Sequence, residues 1–140
     1  MNLDKELHAI ILLLLSVIAG YFIGHQRIRS GHSEVGSRTL SLVALGACLF
    51  TLIPTLSSIP GDPWRMAAGI IQGVGFLGAG ILIKVDNGIK GVTTAAAIWV
   101  SASIGIAFGS GEILIASVVT VLVYVILSMK DRKNINETTA

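Results

Sequence analysis

Gly73-Val74-Gly75-Phe76-Leu77-Gly78-Ala79-Gly80 is the stretch on which the reading of this chain turns. It contains a formal G-x-G-x-x-G, the pattern that binds dinucleotide phosphates when a strand precedes it and a helix opens after it in an aqueous crevice. Here the run lies within an apolar block, residues 66–83. Glycines in that setting strip side chains from a helix face, so that another backbone comes close or the helix breaks locally around a polar site.

Four more apolar blocks lie outside this one, at residues 7–24, 40–56, 92–108 and 113–129. Each has roughly 17 residues, the lower end of what crosses a hydrocarbon core of ~30 Å at 1.5 Å per residue. The 140 residues are 53% hydrophobic and 13% charged, with a mean hydropathy of +0.81, whereas soluble domains carry roughly 25% charge. Five uniformly apolar helices without amphipathic partners would have nothing to shield them in water. The expected fold is therefore all-α, a polytopic transmembrane helical bundle of about five spans over residues 1–130, with a short polar tail at 131–140. The first residues, Met1-Asn2-Leu3-Asp4-Lys5-Glu6, are mixed in charge and no A-x-A-like site follows the first block, so no cleaved signal peptide is expected.

The connections are short and polar, which sets consecutive helices antiparallel. Pro63 fits the first turn of the third helix, with Asp62 or Ser58 to satisfy free amides there, and Pro54 is placed to kink or end the second. Arg27, Arg29, Arg38, Lys84, Lys90, Lys130, Arg132 and Lys133 fall on one side of a five-span arrangement, and only Lys5 and Arg65 on the other. Positive residues gather on the cytoplasmic side, so the N-terminus is expected outside and the C-terminus in the cytoplasm.

The net charge of +2 is too small, and the basic residues too tied to block ends, for a nucleic-acid partner. Cys48 reads as a small buried apolar residue. No catalytic constellation, paired cysteine or intramembrane carboxylate is visible, so neither an enzyme nor a cofactor is expected. His8, His25 and His32 lie near block boundaries and read as interfacial residues rather than metal ligands, and Asp62 and Glu112 as solvated loop acids.

Sixteen glycines imply close helix packing, which inside lipid stands in for the absent hydrophobic drive. The pairs Gly20/Gly24, Gly69/Gly73 and Gly105/Gly109 are each spaced by four, and Ala97 and Ser101 extend the last into a stripe. Packing within one subunit is the first expectation for such stripes, and homo-oligomer contact the second. Three polar groups lie at or inside membrane depth. Gln26 and Arg27 close the first block and Gly36-Ser37-Arg38-Thr39 opens the second; Arg27 and Arg29 suit snorkelling to the interface, while Arg38 is placed to bond carbonyls or a carboxylate and lock helices together. Gln72 is an amide that can bridge helices or contact a ligand. Gly91, Thr93 and Thr94 open the fourth block, where a threonine hydroxyl caps the helix or receives an anion.

Together these residues resemble the MgtC/SapB family of bacterial inner-membrane proteins. The matching pieces are Gly36-Ser37-Arg38-Thr39 leading into Leu42-Val43-Ala44-Leu45-Gly46-Ala47, the run from Gly73 through Gly75 and Gly78 to Gly80, and Gly91-Val92-Thr93-Thr94-Ala95-Ala96 with Trp99-Val100. The resemblance runs from about Leu12 to Tyr124. It departs at Gln26, where members usually carry glutamate, and this removes a carboxylate partner for a cation or for Arg38. Many members add a soluble regulatory domain, so the resemblance is to the short, membrane-only form. It implies a role in adaptation to low magnesium and, in pathogens, in survival inside host cells. It also implies either magnesium transport or regulation of other membrane proteins, ATP synthase among them.

The first functional expectation is thus a non-enzymatic regulator acting through helix contacts of the glycine-rich third and fourth spans, with a partner or with itself. The alternative is a small transporter or channel with Arg38, Gln72, Thr93 and Thr94 along a polar path between subunits. Without a buried carboxylate, a divalent cation is the least suited cargo.

Overall fold

In a computed structural model, which describes residues 3–30, 35–56, 62–85 and 88–129, each apolar block becomes a helix. They are α1 (Leu3–Arg29), α2 (Ser37–Leu56), α3 (Pro63–Ala79), α4 (Val92–Gly109) and α5 (Ile113–Ser128). Three of them, α1, α2 as far as Pro54, and α4, are long and apolar enough to cross a membrane, and α5 is a shorter apolar helix. His32, Ser58, Lys130, Arg132, Lys133 and the tail 131–140 lie outside the described residues.

Helix ends follow local chemistry. The Asp62 carboxylate accepts from the Trp64 amide at 3.0 Å, with Pro63 in the first turn, so α3 opens as its sequence predicts. Pro54 does not end α2, which runs two residues further to Leu56. α1 continues past its apolar block to Arg29, because the backbone ladder needs no apolar side chain once the helix leaves the hydrocarbon. Between α3 and α4 the chain forms a small antiparallel hairpin, β1 (Ile83–Val85) with β2 (Gly88–Lys90), pairing Ile83 with Lys90 and Val85 with Gly88. The apolar block predicts a third helix as far as residue 83, but α3 stops at Ala79, and the Gly80 amide closes the last turn on Phe76 and Gly78.

Glycine sets the register of the bundle. A Cβ built on Gly20 would lie 2.5 Å from the Leu40 carbonyl oxygen, and one on Gly24 would strike Ser37. Rising numbers on α1 thus meet falling numbers on α2, and the two are antiparallel. A Cβ on Gly109 would lie 2.6 Å from the Cys48 oxygen, and one on Gly105 still closer to that of Ala44. Here both numbers rise together, so α2 and α4 run parallel, as they must if α3 returns the chain between them. At each glycine the neighbouring backbone occupies the space a side chain would take, the close approach that van der Waals packing in lipid requires. α4 is the central helix and touches all four others.

The core comprises Leu12, Ile23, Leu40, Cys48, Ile98, Ile104 and Phe108 among others. Hydroxyls within the helices are mostly satisfied without water: Ser16 donates to the Leu13 oxygen at 2.8 Å, Thr51 to that of Ala47 at 2.8 Å, and Thr120 to that of Ala116 at 2.7 Å. Ser41 donates across the seam to the Val17 oxygen of α1 at 3.2 Å.

Candidate functional site

One polar constellation is built into the bundle where α1 ends and α4 begins. Arg27, 3% exposed, donates from Nη2 to the Thr94 hydroxyl, itself buried. A separation of 67 positions in the chain is bridged because α1 and α4 both pack on α2. The expectation that Arg27 snorkels to the interface is therefore corrected: its side chain turns inward to a hydroxyl on the first turn of α4. Thr94 is not a cap. Gly91 precedes the helix at φ +90° with no side-chain cap, and Thr94 supplies an acceptor to the arginine instead. Gly91 meets two demands that another residue cannot: the left-handed backbone, and a Cβ position only 2.6 Å from the Ile81 oxygen. Gln26, at the position where the family resemblance leads one to expect glutamate, is also buried and donates to the Ser30 hydroxyl at 3.4 Å.

The other candidates are placed differently. Gly36 precedes α2 and packs near Ile28, while Arg38 and Thr39 are exposed on its first turn. No hydrogen bond joins Arg38 to another described residue, so the expected helix lock falls to Arg27. Thr93 faces outward, one residue from buried Thr94, and Trp99 is 48% exposed. His25 stacks on Tyr21 with ring centroids 6.0 Å apart on the exposed side of α1. Among the described residues, no three His, Cys, Asp or Glu side chains gather as a metal site would need.

The third helix is the exception to the closed packing. Gly78 lies against α4, its Cβ position 3.5 Å from the Ala95 methyl, and Gly80 sits in the turn beyond. Cβ atoms on Gly69, Gly73 and Gly75 would meet nothing within 4 Å. Gln72, at the middle of α3, is exposed, as are Trp64 (83%), Ala68, Gly75, Phe76 (82%) and Ala79. The helix thus has three faces. One packs on α4, one looks across a groove to α2, and one, carrying Gln72 and Phe76, looks away from the bundle. The expectation that α4 offers its glycine stripe as a surface is corrected, since α2 fills that stripe. None of Arg38, Gln72, Thr93 and Thr94 lines the groove between α2 and α3. Polarity inside an apolar block marks Gln72 in the sequence, and four-residue spacing marks Gly69 and Gly73; nothing in the sequence marks Arg27 as buried.

A membrane protein of closed glycine seams, with an inward-turned arginine at one end and an open third helix, is the class that this architecture defines. The chain belongs to the MgtC family, whose pattern matches residues 13–134. It is 40% identical over 116 residues to Protein MgtC of Brucella abortus, an alignment covering 83% of this chain and 48% of that protein. Against Protein MgtC of Salmonella typhimurium it is 37% identical over 111 residues, 79% of this chain and 47% of the other. An uncharacterized protein of Haemophilus influenzae is 38% identical over 123 residues, 81% of this chain and 51% of that one. The chain spans about half the length of the curated relatives it matches. No solved structure matches it.

Proposed function

We propose that this chain is a non-enzymatic regulator in the bacterial inner membrane that serves adaptation to limiting magnesium and, in pathogens, survival inside host cells. It acts by docking the outward face of α3 on another membrane protein. ATP synthase is the partner that the family resemblance suggests. The observation that carries the reading is Gln72: an amide at mid-helix, exposed among Ala68, Gly75, Phe76 and Ala79. An amide facing hydrocarbon gains by finding a partner across a helix interface, by about 1 kcal/mol, and the small residues beside it let a second backbone approach. Phe76 supplies the large apolar contact on the same face.

The test pairs growth with flux. In a strain deleted for its own MgtC-family protein, the wild-type chain restores growth at limiting magnesium, while Gln72→Leu and Phe76→Ala variants reach the membrane folded but do not. Liposomes carrying the purified protein show no magnesium or anion flux above empty ones. Full growth support by both variants, or flux through the wild-type protein, would overturn the proposal.

A further inference from the structure

The space between α2 and α3 is a groove of about 640 Å³, lined by Val43, Gly46 and Phe50 on one wall and Gly69, Gly73 and Leu77 on the other. Its floor is bare because Gly46, Gly69 and Gly73 have no neighbour within 4 Å of a Cβ position. Its lining holds a single charged side chain, Arg65, at the end where α3 begins; Thr39 and Leu77 close the other. Beside Arg65, Trp64 is 83% exposed on the same helical turn. An exposed tryptophan next to an arginine at a helix start marks headgroup depth, where lipid phosphates lie.

We infer that this groove binds one phospholipid, its phosphate at Arg65 and one acyl chain laid along the glycine floor toward Leu77. Length, volume and charge agree on that occupant. From Arg65 to Leu77 the helix rises ~18 Å at 1.5 Å per residue, close to one leaflet of a hydrocarbon core ~30 Å thick. The volume falls within the ~300–1,000 Å³ of clefts that enclose one small ligand. No acidic side chain lines the groove to compete with a phosphate for Arg65. The lipid would hold α3 away from α2 at fixed distance and so set the angle of its outward face. The groove and the Gln72 face lie on different sides of α3, so lipid binding stands or falls apart from the regulatory reading.

The experiment uses the full chain extracted in mild detergent with two photoreactive phosphatidylglycerols, one labelled at an acyl terminus and one on the headgroup. Native mass spectrometry reads the retained lipid and the oligomeric state, and peptide mapping reads the labelled residues. The expected result is one retained lipid per chain, with the acyl label near Leu77 and Thr39 and the headgroup label near Phe50 and Arg65. Gly73→Leu, which has open space for its side chain, abolishes retention, and Arg65→Gln lowers it several-fold. Ala96→Leu, on the exposed side of α4, changes nothing. Thermal unfolding confirms that the variants remain folded. Labels scattered evenly over all exposed helix faces, or a lipid-free dimer cross-linked through this groove, would overturn the inference.

Discussion

Arg27 shows how much turns on one side chain. In sequence it is indistinguishable from Arg29, two residues later, yet Arg27 is buried and Arg29 exposed. A guanidinium inside a bundle must keep its hydrogen-bond partners, and Thr94 is one of them. Thr94→Val keeps the shape of that side chain and removes the acceptor, at a cost of about 1–3 kcal/mol. It should lower the thermal unfolding midpoint in detergent, whereas Thr93→Val, on the exposed side, should leave the midpoint unchanged. Gly91→Ala should also destabilise, since the left-handed backbone costs a side-chain-bearing residue roughly 1–2 kcal/mol and its Cβ would meet the Ile81 oxygen. Gly91, Thr94 and Arg27 are all candidates by sequence, but snorkelling for Arg27 and capping for Thr94 are not what the fold does with them. Snorkelling and burial use the same residue, and only the approach of α4 to α1 decides between them.

At the scale of the element, identical spacing hides opposite environments. Gly20/Gly24, Gly69/Gly73 and Gly105/Gly109 carry the same four-residue step, yet the first and last are filled by α2 backbone while the middle pair faces a groove. The apolar blocks made all five helices legible, and Asp62-Pro63 fixed the start of α3. The fate of each glycine face was not legible, because it depends on which helices become neighbours after the chain returns. The hairpin was equally hidden: Ile83-Lys84-Val85 is too short an alternation to stand out at the end of an apolar run. Gly105→Ala should overpack the α2 seam at a cost of about 1–3 kcal/mol or more. Gly75→Ala should be neutral or slightly stabilising, since alanine exceeds glycine in helix preference by roughly 1 kcal/mol. Side-by-side unfolding curves of the two variants check both expectations.

For the whole molecule, the parallel course of α2 and α4 and the antiparallel course of α1 and α2 agree with successive crossings of one bilayer. The charge pattern predicts a direction for that bundle, with the hairpin in the cytoplasm and the start of α5 outside: Lys84 and Lys90 lie in the two strands of the hairpin, and Glu112 precedes α5. In a Cys48→Ala background, a cysteine replacing Glu112 should react with a membrane-impermeant maleimide in intact cells, and one replacing Lys84 only after the membrane is opened. The reverse pattern would invert the proposed orientation. Family membership was legible from the motifs of the sequence, whereas the division into closed seams and one open helix required the fold.

The central claim is that α3 is kept open for a partner while the other glycine seams are closed for stability. The most direct measurement places leucine on each kind of face, Gly75→Leu and Gly105→Leu, and records thermal unfolding beside growth at limiting magnesium. The account predicts that Gly75→Leu unfolds like the wild-type protein yet fails to support growth, and that Gly105→Leu fails in both. Wild-type growth from Gly75→Leu, or a wild-type unfolding curve from Gly105→Leu, would contradict it.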